Sequence, residues 1–198
     1  LQDDFSKGMM YMSEETHYCV PKAARIAGFR DGQVRRIAID EKRRVDPTAL
    51  AHAIEMDLEK GLRPFLIIAN VGTTNTGAID EIPSLVSIGR SHSMWIHADA
   101  AYGGFFRLAG AGPALMPGIE ECDSITLDPH KGLFLPYGLG ALLVRDGGAL
   151  ARAHRDTAER NSAGISESTL MRARASSPRL VSCVEVDNIA SGHAACLC

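Results

Sequence analysis

Aromatic residues are scarce in this chain of 198 residues, at 6% of positions with a single tryptophan. Charge of one sign is also lacking. The 21 Lys and Arg face 24 Asp and Glu, a net charge of −3, which leaves no basic footprint for nucleic acid. The longest apolar run, around Pro64 to Val71, falls far short of the ~20 residues that span a bilayer. No charged segment followed by an apolar one opens the chain, so no export signal is read and no membrane partner is expected. The five cysteines are an odd number without CxxC spacing, which argues against a disulfide frame or a zinc site. Reduced thiols in a cytoplasmic protein are the expectation. With 45% hydrophobic and 23% charged residues, what remains is the composition of a folded globular chain.

The two ends read differently from the middle. The chain begins with Leu1, which leads us to expect a missing upstream segment. Residues 161–198 hold no Phe, Trp or Tyr, seven serines, and three of the five cysteines (Cys183, Cys196, Cys198). The expected organisation is a coherent block over 1–160 and an atypical tail over 161–198.

Within the block, β-rich runs alternate with helical patterns, the sign of βαβ units and a largely parallel sheet. Strands are expected at Gly8–Met12, Val34–Ile39, Phe65–Val71, Met94–Ala98, Ser124–Leu127 and Ala141–Val144. The unalternating run Phe65 to Ala69 reads as a central strand covered on both faces. Asp46 and Pro47 supply an N-cap and a first-turn proline to a helix with Leu50, Ile54 and Leu58 on one face, stopped by Gly61. Further helices are expected over Pro21–Ala27, Asp80–His92 and Gly148–Arg160, the one over Asp80–His92 facing the sheet with Ile82, Leu85, Val86 and Gly89.

In open α/β sheets chemistry gathers at the carboxyl ends of strands. Four polar clusters fall there: Ser13 to His17, Gly72 to Gly77, His97 to Gly104, and Asp128 to Lys131. Lys131 follows a short, stiff Asp-Pro-His connection. If desolvated, its amine loses its proton more readily and can form a Schiff base with an aldehyde. A surface lysine with a buried stem is the competing reading. Asp99 ends a mainly apolar strand and needs a partner. A protonated pyridine nitrogen at ~4 Å, with an effective dielectric near 20, would interact by about 4 kcal/mol; a helix or turn cap is the alternative. Ala100, Ala101, Gly103 and Gly104 leave room for a flat ring, or serve packing alone. His17 and His130 can stack on a ring, accept a proton or bind phosphate, or be structural. No HxxxH or His/Cys cluster accompanies them, so no metal is expected. The Gly72 to Gly77 loop offers backbone N–H groups to an anion. Cys19 and Cys122 read as small core residues.

Together the stretches YMSEETHYCVPKAARIAGF (11–29), IIANVGTTNTGAIDEI (67–82), WIHADAAYGG (95–104) and DSITLDPHKGLFLPYGLGALLVRD (123–146) resemble the group II pyridoxal-phosphate-dependent amino-acid decarboxylases, the family of the aromatic-amino-acid and glutamate decarboxylases. The resemblance covers about residues 1–155. It implies an α/β fold, the large-domain portion of the aspartate-aminotransferase-like (fold type I) architecture, with a mostly parallel sheet and flanking helices, in a homodimer. It implies pyridoxal 5′-phosphate as cofactor, an amino acid as substrate, and loss of carbon dioxide through a Schiff base on Lys131. Asp99 would pair with the pyridine nitrogen, His17 would stack on the ring and share in catalysis, and Ala101 would pack below it. Thr74 would lie beside the ring substituents, and Asp128 and His130 near the phosphate end. The family's phosphate-binding segment would precede residue 1, and its small domain is not recognisable. The mobile-loop tyrosine would fall near Arg160, where this sequence has none. The tail does not resemble the family, and a shifted reading frame, a mis-joined exon or disorder is the expectation there. Aldehyde synthesis, aminotransfer or carbon–carbon lysis on the same fold, or a non-catalytic remnant, are the rival functions.

Overall fold

The computed structural model describes residues 2–154, 171–173 and 181–185. Eight strands form one sheet: β1 (Gly8–Ser13), β2 (Val34–Ile37), β3 (Arg63–Asn70), β4 (Trp95–Asp99), β5 (Ser124–Leu127), β6 (Ala141–Val144), β7 (Met171–Ala173) and β8 (Val181–Glu185). Their order is β2-β1-β3-β4-β5-β6-β8-β7. The first five run parallel, and β6, β8 and β7 pair antiparallel. The expected α/β architecture and mostly parallel sheet are what the chain adopts. The helices are α1 (Gln2–Phe5), α2 (Cys19–Ile26), α3 (Pro47–Glu59), α4 (Ile82–Ser91), α5 (Gly112–Leu115), α6 (Pro129–Gly132) and α7 (Gly147–His154). The part of the fourth expected helix beyond His154 lies outside the described residues. So does the tail, apart from β7 and β8.

Side chains alternate across each strand, so the sheet has two distinct cores. Met9, Tyr11, Ile67 and Ala69 meet Leu50 and Ile54 of α3 and Leu85 of α4. Ile96 and Ala98 continue that layer against Ile82 and Val86. On the opposite face Met10, Met12 and Ile68 pack under Ala24 of α2. Gly89 has to be small, because a Cβ there would sit 2.8 Å from Cγ1 of Ile96.

Capping follows the sequence at α3, where the Asp46 carboxylate accepts from the amides of Thr48 and Ala49. The buried face differs from the expected one. Leu50, Ile54 and Asp57 are buried, while Leu58 is 46% exposed. At ~100° per residue, position 57 returns to within about 20° of Leu50, whereas position 58 swings some 80° away. The α2 helix starts two residues before Pro21, because first-turn amides have no intrahelical partner and a proline there costs nothing. The β2 strand stops at Ile37, and Ile39 instead makes an isolated bridge to Val45.

Candidate active site

Between β1 and β3 the chain reverses its direction of strand addition, and the adjoining strand ends open into a cavity of about 400 Å³. All seven residues expected to form a site line it: His17 after β1, Thr74 after β3, Asp99 and Ala101 at the end of β4, and Asp128, His130 and Lys131 after β5. Helix α2 contributes Lys22, Ala23 and Ile26 to the wall.

Lys131 sits on the single turn of α6. Its Nζ lies 2.6 Å from Oδ2 of Asp128, whose side chain is 1% exposed. The lysine side chain is itself 40% exposed, so the expected desolvation is not what the fold provides. It provides a fixed counter-charge instead. The Asp128 amide donates to the carbonyl of Ala101, tying the lysine's turn to the end of β4. His130 donates through Nδ1 to the carbonyl of Leu139 at 2.6 Å, and its ring meets Tyr137 edge-on at 5.0 Å. That bond fixes the turn leading into β6.

On β4, the Asp99 carboxylate accepts weakly from the Ala101 amide at 3.3 Å, a small turn cap that leaves its other oxygen for the cavity. Across the cavity, Nδ1 of His17 accepts from the Cys19 amide at 3.4 Å, which assigns the neutral ring's proton to Nε2. Cys19 lines the cavity and is only partly buried, so it is not the core residue expected. Cys122 is buried, and that burial pushes its thiol up to about 12.

Part of the backbone at these strand ends is already committed. The amides of Gly72 and Thr73 both donate to the Ala78 carbonyl, that of Gly77 to the Thr73 carbonyl, and that of Ala78 to Oγ1 of Thr73. Those four donors are spent within the loop and do not serve an anion. Gly103 is small because a Cβ would collide with the carbonyl of Val71, and Gly104 because one would collide with Leu127. Close packing, rather than access for a ring, requires both.

Sequence reasoning missed Asn70. It is 3% exposed, lines the cavity, and donates through Nδ2 to Oγ of Ser13 and Oδ2 of Asp80. Asp80 also accepts the amides of Val45 and Asn70, so one buried carboxylate ties the ends of β1 and β3 to the α3 entry. Burial raises the proton affinity of Asp80 despite these donors. The available signal was a polar residue closing the apolar run Ile67-Ile68-Ala69.

A primary amine, a carboxylate and an imidazole gather at the C-terminal edge of the parallel sheet, where α/β folds place their ligands. The pyridoxal-dependent decarboxylase conserved domain matches residues 3–160, and the chain belongs to that family. It is 41% identical over 155 residues to an aromatic-L-amino-acid decarboxylase of Bacillus atrophaeus, covering 78% of this chain and 32% of that protein. To the cysteine sulfinic acid decarboxylase of Rattus norvegicus it is 35% identical over 146 residues, 73% and 30% of the two chains. Among solved structures it resembles the tryptophan decarboxylase of Catharanthus roseus in complex with L-tryptophan, with a TM-score of 0.75, 32% identity, and 79% and 34% coverage. The chain therefore spans about a third of the length of the curated relatives it matches. The family's cofactor is pyridoxal phosphate, and the cavity's donor set fits it: an amine that can take up an aldehyde, a carboxylate that can pair with a ring nitrogen, and an imidazole and a small alanine among the lining residues.

Proposed function

We propose that this chain forms the cofactor-holding core of a pyridoxal-phosphate-dependent decarboxylase acting on an L-amino acid. The observation that carries this reading is the convergence of Lys131, Asp99 and His17 on one cavity at the sheet's switch point. When bound, pyridoxal phosphate supplies the electron sink that accepts the pair left behind as carbon dioxide departs. Lys131 would hold the cofactor through its aldehyde, with Asp128 keeping the lysine aimed. Asp99 would hold a proton on the ring nitrogen. His17 would cover one ring face and Ala101 the other. Thr74 would flank the ring substituents, and His130 would help place the phosphate end through the turn before β6. Asp128, whose oxygen contacts the amine, serves the lysine better than the phosphate expected from the resemblance, because two anions repel.

The relatives are named for aromatic and for sulfinic substrates, which supports an amino acid as the substrate class. A second copy of the chain is the proposed partner. Phe134 and Tyr137 are each 93% exposed beside Lys131, an apolar surface of the kind that subunit contacts cover. No helix among the described residues is long and apolar enough to cross a membrane. Cysteines without CxxC spacing are what supports the cytoplasmic reading, and 1–160 remains the proposed extent of the core.

Titration of the chain with pyridoxal phosphate tests this. A visible absorbance band is expected in the wild type and is absent from Lys131→Ala; an equal band in the variant overturns the assignment. With an amino-acid panel, amine plus carbon dioxide is the expected product, and aldehyde or keto acid in its place overturns decarboxylation.

A further inference from the structure

The β4 strand sends Trp95, His97 and Asp99 to the same face of the sheet, since side chains alternate with period 2. In register, His97 lies opposite Ser124 and Asp99 opposite Thr126 of β5. A file of hydrogen bonds runs along this face toward Asp99. Nε1 of Trp95 donates to Oγ of Ser124 at 2.8 Å. The same Oγ lies 2.8 Å from Nδ1 of His97, and Nε2 of His97 lies 3.1 Å from Oγ1 of Thr126. Ser124 and Thr126 are 7% and 8% exposed. His97 does not line the cavity, and nothing in the proposed reaction uses it.

Indole N–H only donates, so Ser124 accepts from Trp95. Burial holds the His97 ring below the ordinary histidine range, with the Asp99 charge opposing. The neutral ring has one N–H to share between Ser124 and Thr126. With that hydrogen on Nε2, Ser124 donates to Nδ1, Nε2 donates to Thr126, and the Thr126 hydroxyl hydrogen is left for the Asp99 side.

We propose that His97 is a positioning residue: clamped between Ser124 and Thr126, it orients the Thr126 hydroxyl beside Asp99 and so aims the Asp99 carboxylate at the cofactor's ring nitrogen. This rests on the reading that the cavity binds pyridoxal phosphate. A histidine that merely filled a polar slot in the sheet would affect every ligand of the cavity alike. One that aims Asp99 affects only a ligand with a nitrogen for Asp99 to hold.

The test compares the affinity of the chain for pyridoxal phosphate with that for the analogue whose ring nitrogen is replaced by C–H. Both are read from the Lys131-dependent absorbance. Wild type is expected to prefer the nitrogen-containing ligand. His97→Phe weakens its binding about tenfold, equivalent to about 1.4 kcal/mol, and leaves binding of the analogue unchanged. Thr126→Val, close in shape and lacking only the hydroxyl, gives the same selective loss should the Phe variant fold poorly. His97→Gln, which keeps an acceptor and a donor, recovers part of the preference. Equal loss for both ligands, or no loss for either, overturns the role of His97 while leaving cofactor binding intact. Failure of pyridoxal phosphate itself to bind through Lys131 overturns the proposed function, and the inference with it.

Discussion

Asp57 is 1% exposed yet accepts hydrogen bonds from the Tyr11 hydroxyl at 2.9 Å and from Arg35 Nε and Nη2 at 2.9 and 2.6 Å. Burial pushes its proton affinity up, but the Arg35 and Tyr11 bonds outweigh that and hold it below the ordinary carboxylate value of 3.8. A depressed carboxylate stabilises the fold above its unfolded value, and the contribution is lost as pH falls through the folded value. Asp57→Asn is therefore expected to cost about 2 kcal/mol at pH 7, a figure kept low because Arg35 is 35% exposed and partly screened by solvent. In urea unfolding, the gap between wild type and variant should narrow only below pH 3.8; a gap constant down to acid pH contradicts the account. Nothing in the sequence announced Asp57, because only the register of α3 against β1 turns it inward. Asp99 was legible because it closes a mainly apolar run with a charge, and Lys131 because it follows the short, stiff Asp-Pro-His connection. Asn70 and His97 were not singled out, since an uncharged polar residue within or at the end of a strand is also what ordinary packing produces.

At the scale of elements, the strands were legible nearly to the residue. The runs ending at Leu127 and Val144 coincide with β5 and β6, because short apolar stretches bounded by turn residues admit few alternatives. Helix faces were harder. In α3 the pattern Leu50, Ile54, Leu58 looks continuous, but only the first two reach the core. Ile54→Ala is expected to cost about 2–5 kcal/mol, as for a fully buried isoleucine, while Leu58→Ala stays within about 0.5 kcal/mol. Thermal or urea unfolding of the two variants decides this, and comparable losses would contradict the observed packing. The Gly72 to Gly77 loop was legible only in part. A glycine-rich sequence specifies backbone freedom, not which carbonyls its amides will reach, and here those of Gly72, Thr73 and Gly77 reach acceptors within the loop and its exit.

For the whole molecule, one topological fact organises the rest. Strand order reverses between β1 and β3, and His17 and Lys131, 114 positions apart in the chain, converge on one cavity there. Alternating strand and helix patterns made the parallel sheet legible, and polar strand ends made the crevice legible. The antiparallel β8–β7 extension was not, because serine-rich sequence without aromatics carries little strand signal. The central claim is that Lys131 is the residue that holds the cofactor. The cavity contains a second lysine, Lys22, on the α2 wall, which makes the claim decidable within one site. The chain is loaded with pyridoxal phosphate, reduced with borohydride to fix the carbon–nitrogen bond, digested and mapped by mass spectrometry. The account predicts the pyridoxyl increment on the Lys131 peptide with Lys22 unmodified; an increment on Lys22, or one spread evenly over the lysines, would contradict it.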